Sequence, residues 1–127
     1  MAQKDEWRIQ KAVIEWYDYQ YPPSHEYHHL LVYNQNGSVN LGKIKGAILK
    51  LMGVRAGIPD LTLYLARGGH NGLLVELKTE KGRITKDQSI FHKRLTNAGY
   101  AVEGSHGVDN SIALIKRYIA GQHIKEL

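Results

Sequence analysis

The residue pattern predicts an α/β protein, a central mixed β-sheet flanked by helices. Two observations carry that prediction. Apolar residues recur at helical spacing in some segments and at strand spacing in others, in the order helix, strand, helix, strand, strand, helix, strand, helix. The two adjacent strands are joined by a tight turn, which makes them antiparallel; the next strand follows through a helix, which makes it a parallel neighbour.

Each element has its own signal. The first helix runs from about Asp5 to Tyr19 and stops before the consecutive prolines of "YPPS", residues 21–24. "HLLVYNQNG" reads as a strand with a turn. "LGKIKGAILKLMG" reads as a short basic helix stopped by Gly53. "LTLYLA" alternates as a strand, "RGGHNG" is a hairpin turn and "GLLVELK" is the returning strand. Thr85 and Gln88 have capping-box spacing at the start of the next helix, whose apolar face carries Ile90, Phe91 and Leu95 and whose end is Gly99. "YAVEGS" is the last strand. Asp109 is the candidate cap of the final helix, with Ile112, Leu114, Ile115, Tyr118 and Ile119 at its apolar positions.

The 127 residues suit one domain, residues 1–127, with one core. There is no repeat or low-complexity tract. No apolar run approaches the roughly 20 residues of a membrane span. The N-terminus "MAQKDEWRIQ" is too polar for a signal peptide, and a cytoplasmic location is expected. The absence of Cys excludes disulfides and thiolate metal sites. With 17 Lys+Arg against 12 Asp+Glu, the net charge of +5 favours an anionic partner, of which nucleic acid is the commonest.

Against that background, "GIPDLTLYLARGGHNGLLVELK" holds three ionisable residues within two apolar strands. Strand residues alternate faces, so Leu73, Val75 and Leu77 point one way and Leu74, Glu76 and Lys78 the other. Asp60 opens the preceding strand, and the hairpin folds it back near Glu76 to Lys78. Two carboxylates held close repel when both are ionised, and a divalent cation relieves that. Oxygen donors without Cys suit Mg²⁺ or Mn²⁺ better than zinc. The plain alternative is a turn Asp and an exposed Glu–Lys pair on an edge strand. A helical wheel adds Glu6, which lies amid Val13, Tyr17, Gln10, Ile9, Ile14 and Trp7. Lys4, Arg8, Lys11 and Glu15 lie opposite. A carboxylate on an apolar face needs a partner or a metal, although a first-turn Glu also gains from the helix dipole.

In this order the residues resemble the VRR-NUC domain, a branch of the PD-(D/E)XK nuclease superfamily. The matching pieces are Pro59-Asp60, Glu76-Leu77-Lys78, Gly82, Gln88 and Gly99-Tyr100, preceded by a first helix with Glu6 and Gln10 in place. Coverage is nearly the whole chain, so it resembles the stand-alone, phage-type members. The Val-Arg-Arg of the family label is not spelled out; only Val54-Arg55 stands upstream of Asp60.

The resemblance implies a restriction-endonuclease-like fold and metal-dependent phosphodiester hydrolysis. It implies that Asp60, Glu76 and the Leu77 carbonyl bind Mg²⁺ (or Mn²⁺), that Lys78 positions the water, and that Glu6 is an outer or second-metal acid. Gln88 would contact Lys78 or a phosphate. Stand-alone members look like Holliday-junction resolvases, which implies a homodimer acting on branched DNA, in a bacterial host's cytoplasm if phage-encoded. A catalytically silent nucleic-acid-binding module with the same fold is the alternative.

"HEYHH" also fits H-E-x-x-H, which would make His25, Glu26 and His29 a zinc hydrolase site. The prolines before it and the strand after it oppose that reading and favour His side chains at a strand entrance. Two basic groups are candidates for binding DNA phosphates: Lys43, Lys45 and Arg55 around the second helix, and Lys81, Arg83 and Lys86 after the Glu76 strand. The Trp16 and Tyr19 side of the first helix is a candidate dimer seam.

Overall fold

Val13 and Tyr17 fix the orientation of the first helix, because both are fully buried while Lys11 and Glu15 pair with each other in solvent on the opposite side. This helix, α1 (Ala2–Gln20), begins three residues earlier than the sequence suggests. The computed structural model describes residues 2–35 and 42–122, the first three of them by backbone alone. The expected Asn36–Gly37 turn, the Lys4 side chain and the Leu41 start of the second helix lie outside the described residues.

The remaining elements follow in the predicted order: β1 (Leu31–Tyr33), α2 (Lys43–Leu51), β2 (Leu61–Leu63), β3 (Leu73–Lys78), α3 (Lys86–Asn97), β4 (Ala101–His106) and α4 (Val108–Ile119). Among the described residues the sheet has four strands in the order β1-β2-β3-β4. β1 and β2 pair antiparallel, as do β2 and β3 across the hairpin, and β3 pairs parallel with β4 through the α3 crossover.

The core lies on one face of this sheet. Leu73, Val75 and Leu77 of β3, with Leu61, Leu63 and Ala101, meet Val13 and Tyr17 of α1 and Leu114, Ile115 and Tyr118 of α4. Two tyrosine hydroxyls in this core are satisfied by backbone carbonyls: Tyr17 donates to Tyr27 at 2.6 Å and Tyr118 to Leu65 at 2.6 Å. α3 covers the other face, so the domain has three layers.

Several local expectations change. Trp7 lies on the apolar side of the α1 wheel, yet it is 60% exposed. α4 is not capped by Asp109: Gly107 is its N-cap, Asp109 is a first-turn acid, and Ser111 reaches back to the Gly107 carbonyl. α3 buries neither Ile90 nor Phe91, and its buried residue is His92. α2 buries nothing, and its Ile44 and Leu51 are 79% and 88% exposed. No described helix is long and apolar enough to cross a membrane.

Residues 22–29 form turns rather than a helix, so His25 and His29 are not one helical turn apart and the zincin geometry does not exist. His25 Nδ1 accepts from the Tyr27 amide, His28 bonds the Tyr21 carbonyl, and the exposed His29 stacks on His28 with a φ of 60°. This turn leads straight into β1, which places the histidines at a strand entrance.

Candidate active site

The sheet forks where the acids lie. β2 pairs with β3 only from Leu61 opposite Val75 to Leu63 opposite Leu73. Beyond Val75, the β2 side of β3 has no ladder partner from that strand. Asp60 fills the gap: its Oδ2 accepts the Leu77 amide at 2.8 Å. By the two-residue period of a strand, the Leu77 carbonyl faces the same opened side as its N–H. The Lys78 carbonyl faces the other way and accepts from Gly107 at 3.0 Å.

Asp60 is held from behind by a residue that the sequence did not single out. Asn34, just past β1, donates from its side chain to the Pro59 carbonyl at 3.0 Å and to Thr62 Oγ1 at 2.6 Å. Its backbone N–H donates to the Asp60 carbonyl at 2.7 Å. These three bonds bracket the Pro59-Asp60 corner. On the far side of the site the chain turns back through Gly82, where a Cβ would lie 3.3 Å from the Lys78 side chain. A larger residue there would press on the lysine.

Glu76 and Lys78 share the α3-facing side of β3 and are nearly sealed, at 2% and 7% exposure. Burial pushes the Asp60 carboxyl up to about 7, with a hydrogen bond to Glu76 and its charge adding to the rise. The Leu77 amide and Lys78 pull in the opposite direction without cancelling it. Burial also raises Glu76, against the Asp60 hydrogen bond and the Lys78 charge. The two carboxyls therefore share a proton near neutral pH, with Asp60 its principal holder.

Glu6 of α1 belongs to the same electrostatic group. Burial raises its pKa, Lys78 lowers it and Asp60 raises it. Its charge is in turn felt by Glu76. Gln88 is engaged elsewhere: its Oε1 accepts from the Thr85 amide at 2.9 Å while Thr85 Oγ1 accepts from the Gln88 amide, a complete capping box. One turn further along α3, His92 Nε2 lies 3.4 Å from Glu76 Oε1. His92 was not anticipated. Its signal in the sequence is its place four residues after Gln88 and three before Leu95, on one helical face. Lys43, Lys45, Arg55, Lys81, Arg83 and Lys86 are all exposed, and Lys81 and Arg83 sit on the turn that follows Lys78.

The donor set fits a hard divalent cation. A buried carboxylate, Glu76, and a partly buried one, Asp60, both disfavoured as anions by their surroundings and placed beside a strand carbonyl, are oxygen donors of the kind Mg²⁺ or Mn²⁺ would take from a protein, with other oxygens coming from water and substrate phosphate. Among the described residues no three His, Asp or Glu side chains are spaced to hold an ion by themselves. An ion held by Asp60 and Glu76 would complete its shell with oxygens from outside the protein's side chains.

A forked mixed sheet with an acid at the fork and an acid and a lysine on the next strand defines the restriction-endonuclease-like class of α/β fold. Within that class the chain belongs to the VRR-NUC domain family, whose model matches residues 4–109. A solved structure described as a VRR_NUC domain protein superposes with a TM-score of 0.76 at 28% identity, covering 96% of this chain and 93% of that one. The curated proteins contain no match. The family identifies the fold as nuclease-like.

Proposed function

We propose that the chain is a metal-dependent endonuclease that hydrolyses DNA phosphodiester bonds, acting on branched DNA such as Holliday junctions. The observation that carries this reading is the Asp60–Glu76 pair, clamped by the Leu77 amide beside the buried Lys78. A chain selected for stability alone has no use for three ionisable groups in that position.

Asp60, Glu76 and the Leu77 carbonyl would hold Mg²⁺ or Mn²⁺, with Glu6 as an outer acid. An ion bound there would supply positive charge to a phosphoryl oxygen and acidify water. Lys78 orients the attacking water and offsets the charge that develops on the phosphate. Oxygen from water bonds to phosphorus, the bond to the leaving oxygen breaks, and that oxygen takes up a proton. Lys43, Lys45 and Arg55, with Lys81, Arg83 and Lys86, grip flanking phosphates; their exposure and the net charge of +5 support this.

The chain acts as a homodimer in this reading, so that two sites can face the two strands of a junction. Support comes from α2, whose Ile44, Ile48 and Leu51 form an apolar stripe with no partner among the described residues.

The test is cleavage of labelled four-way junction, splayed arm, flap, linear duplex and single strand in Mg²⁺, Mn²⁺ or EDTA. Metal-dependent symmetric cutting of the junction is the expected result. Cutting confined to linear duplex or flaps would remove the junction and dimer parts. Tight binding without cutting would replace the enzyme by a silent binding module.

A further inference from the structure

His92 is the one side chain that α3 buries, and it is an imidazole rather than a Leu. It is 4% exposed, its Nε2 faces Glu76 Oε1 at 3.4 Å, and its Nδ1 is buried with no hydrogen-bond partner. Burying a polar ring with one nitrogen unsatisfied costs on the order of 1–3 kcal/mol. An apolar side chain at this position would avoid that cost. Among the described residues the polar partner that the ring does have is Glu76, a carboxylate of the proposed site, and that pairing is what offsets the cost.

We propose that His92 is a positioning residue: its Nε2–H donates to Glu76 Oε1, fixes the carboxylate rotamer and leaves the other oxygen for the ion. The inference rests on the metal-dependent reading of Asp60 and Glu76. The tautomer follows from electrostatics. A lone pair on Nε2 would face the carboxylate oxygen and be repelled, so the proton sits on Nε2 and the lone pair on Nδ1. The separation of 3.4 Å is at the long end for a hydrogen bond, and a small rotation of Glu76 on taking up an ion would shorten it. Ligating carboxylates are ordinarily held by such outer hydrogen bonds, whose loss weakens metal affinity by roughly 10- to 100-fold.

The experiment is calorimetric titration of Mn²⁺ into the DNA-free protein for wild type, His92→Leu, His92→Gln and Glu76→Ala. A parallel reading of the His92 ring nitrogens by ¹⁵N NMR uses the metal-free wild type and Glu76→Ala. The expected result is a roughly 10- to 100-fold weaker Mn²⁺ affinity for His92→Leu, with most of it regained in His92→Gln, whose amide can donate from a similar place. Folded His92→Leu that binds Mn²⁺ as tightly as wild type would overturn the proposal. So would a wild-type ring with its proton on Nδ1, a result that stands even where His92→Leu does not fold. If Mn²⁺ affinity is the same in wild type and Glu76→Ala, the metal reading itself fails. The contact is then judged by NMR alone, as an Nε2–H tautomer perturbed by Glu76→Ala.

Discussion

Replacing Asp60 by Asn tests whether the site is built around a proton that an ion can displace. Asn keeps the shape and can still accept the Leu77 amide bond, but it cannot ionise. The Asp60 carboxyl ordinarily titrates at 3.8 and stands at about 7 in the folded chain. That difference is about three pH units, each equivalent to about 1.4 kcal/mol, so protonated Asp60 contributes about 4 kcal/mol to the metal-free fold. The folded value is the higher one. The contribution is therefore complete below pH 3.8 and is lost as pH rises through about 7.

The assay is urea denaturation in EDTA at intervals from about pH 4 to about pH 8, wild type beside Asp60→Asn. Wild type should lose about 4 kcal/mol relative to the variant across that window. Adding Mg²⁺ or Mn²⁺ at the alkaline end should restore wild type more than the variant, because the ion replaces the proton only where both carboxylates remain. Two stability curves that stay parallel to within about 1 kcal/mol would refute the shared-proton picture and the reasoning that leads from it to a cation.

Three other outcomes are expected. Lys78→Met, which keeps length without charge, should lower cleavage by roughly 100-fold or more while the circular dichroism spectrum is retained; near-wild-type rates would remove Lys78 from the mechanism. Asn34→Ala frees the Pro59 carbonyl and Thr62 hydroxyl and should cost about 1–3 kcal/mol in urea denaturation. Its kcat should fall more than its KM rises, since the corner carrying Asp60 loosens. Ile48→Glu places a charge in the α2 stripe and should convert a dimer to a monomer in sedimentation velocity; a wild-type protein that is already monomeric would count against the α2 surface.

How much of this was legible in the chain depends on whether a local rule reached the residue. Element order was legible because period-two and period-3.6 patterns are local, and the nearness of Asp60 to Glu76 followed from one hairpin turn. The brevity of β1 and β2 was not legible. β2 starts only after Asp60, whose side chain substitutes for a ladder bond to Leu77, and nothing in "GIPDLTLYLA" distinguishes a paired from a parted residue. Asn34 escaped because its partners Pro59 and Thr62 are distant in sequence and joined by no periodicity. Gln88 carried two signals, a helix cap and a site residue, and its bonds to Thr85 are those of the cap. His92 was hidden by its type: a wheel drawn on Ile90, Phe91 and Leu95 counts apolar residues and passes over a histidine that lies between them.

β3 explains how one short strand serves both the fold and the site. Its odd-numbered residues, Leu73, Val75 and Leu77, enter the core with α1 and α4. Its even-numbered residues, Leu74, Glu76 and Lys78, face α3, where the burial of charge opposes folding. The burden of the acids is thus confined to one face, and the apolar layer on the other offsets it. A slip of one residue in the β3 register would exchange the two sets, sending Glu76 and Lys78 among Tyr17, Leu114 and Ile115. The parallel pairing of all six β3 residues with β4 opposes such a slip. The site's register is therefore set by β4 and the core, while β2 is left free to part from β3 where Asp60 must stand.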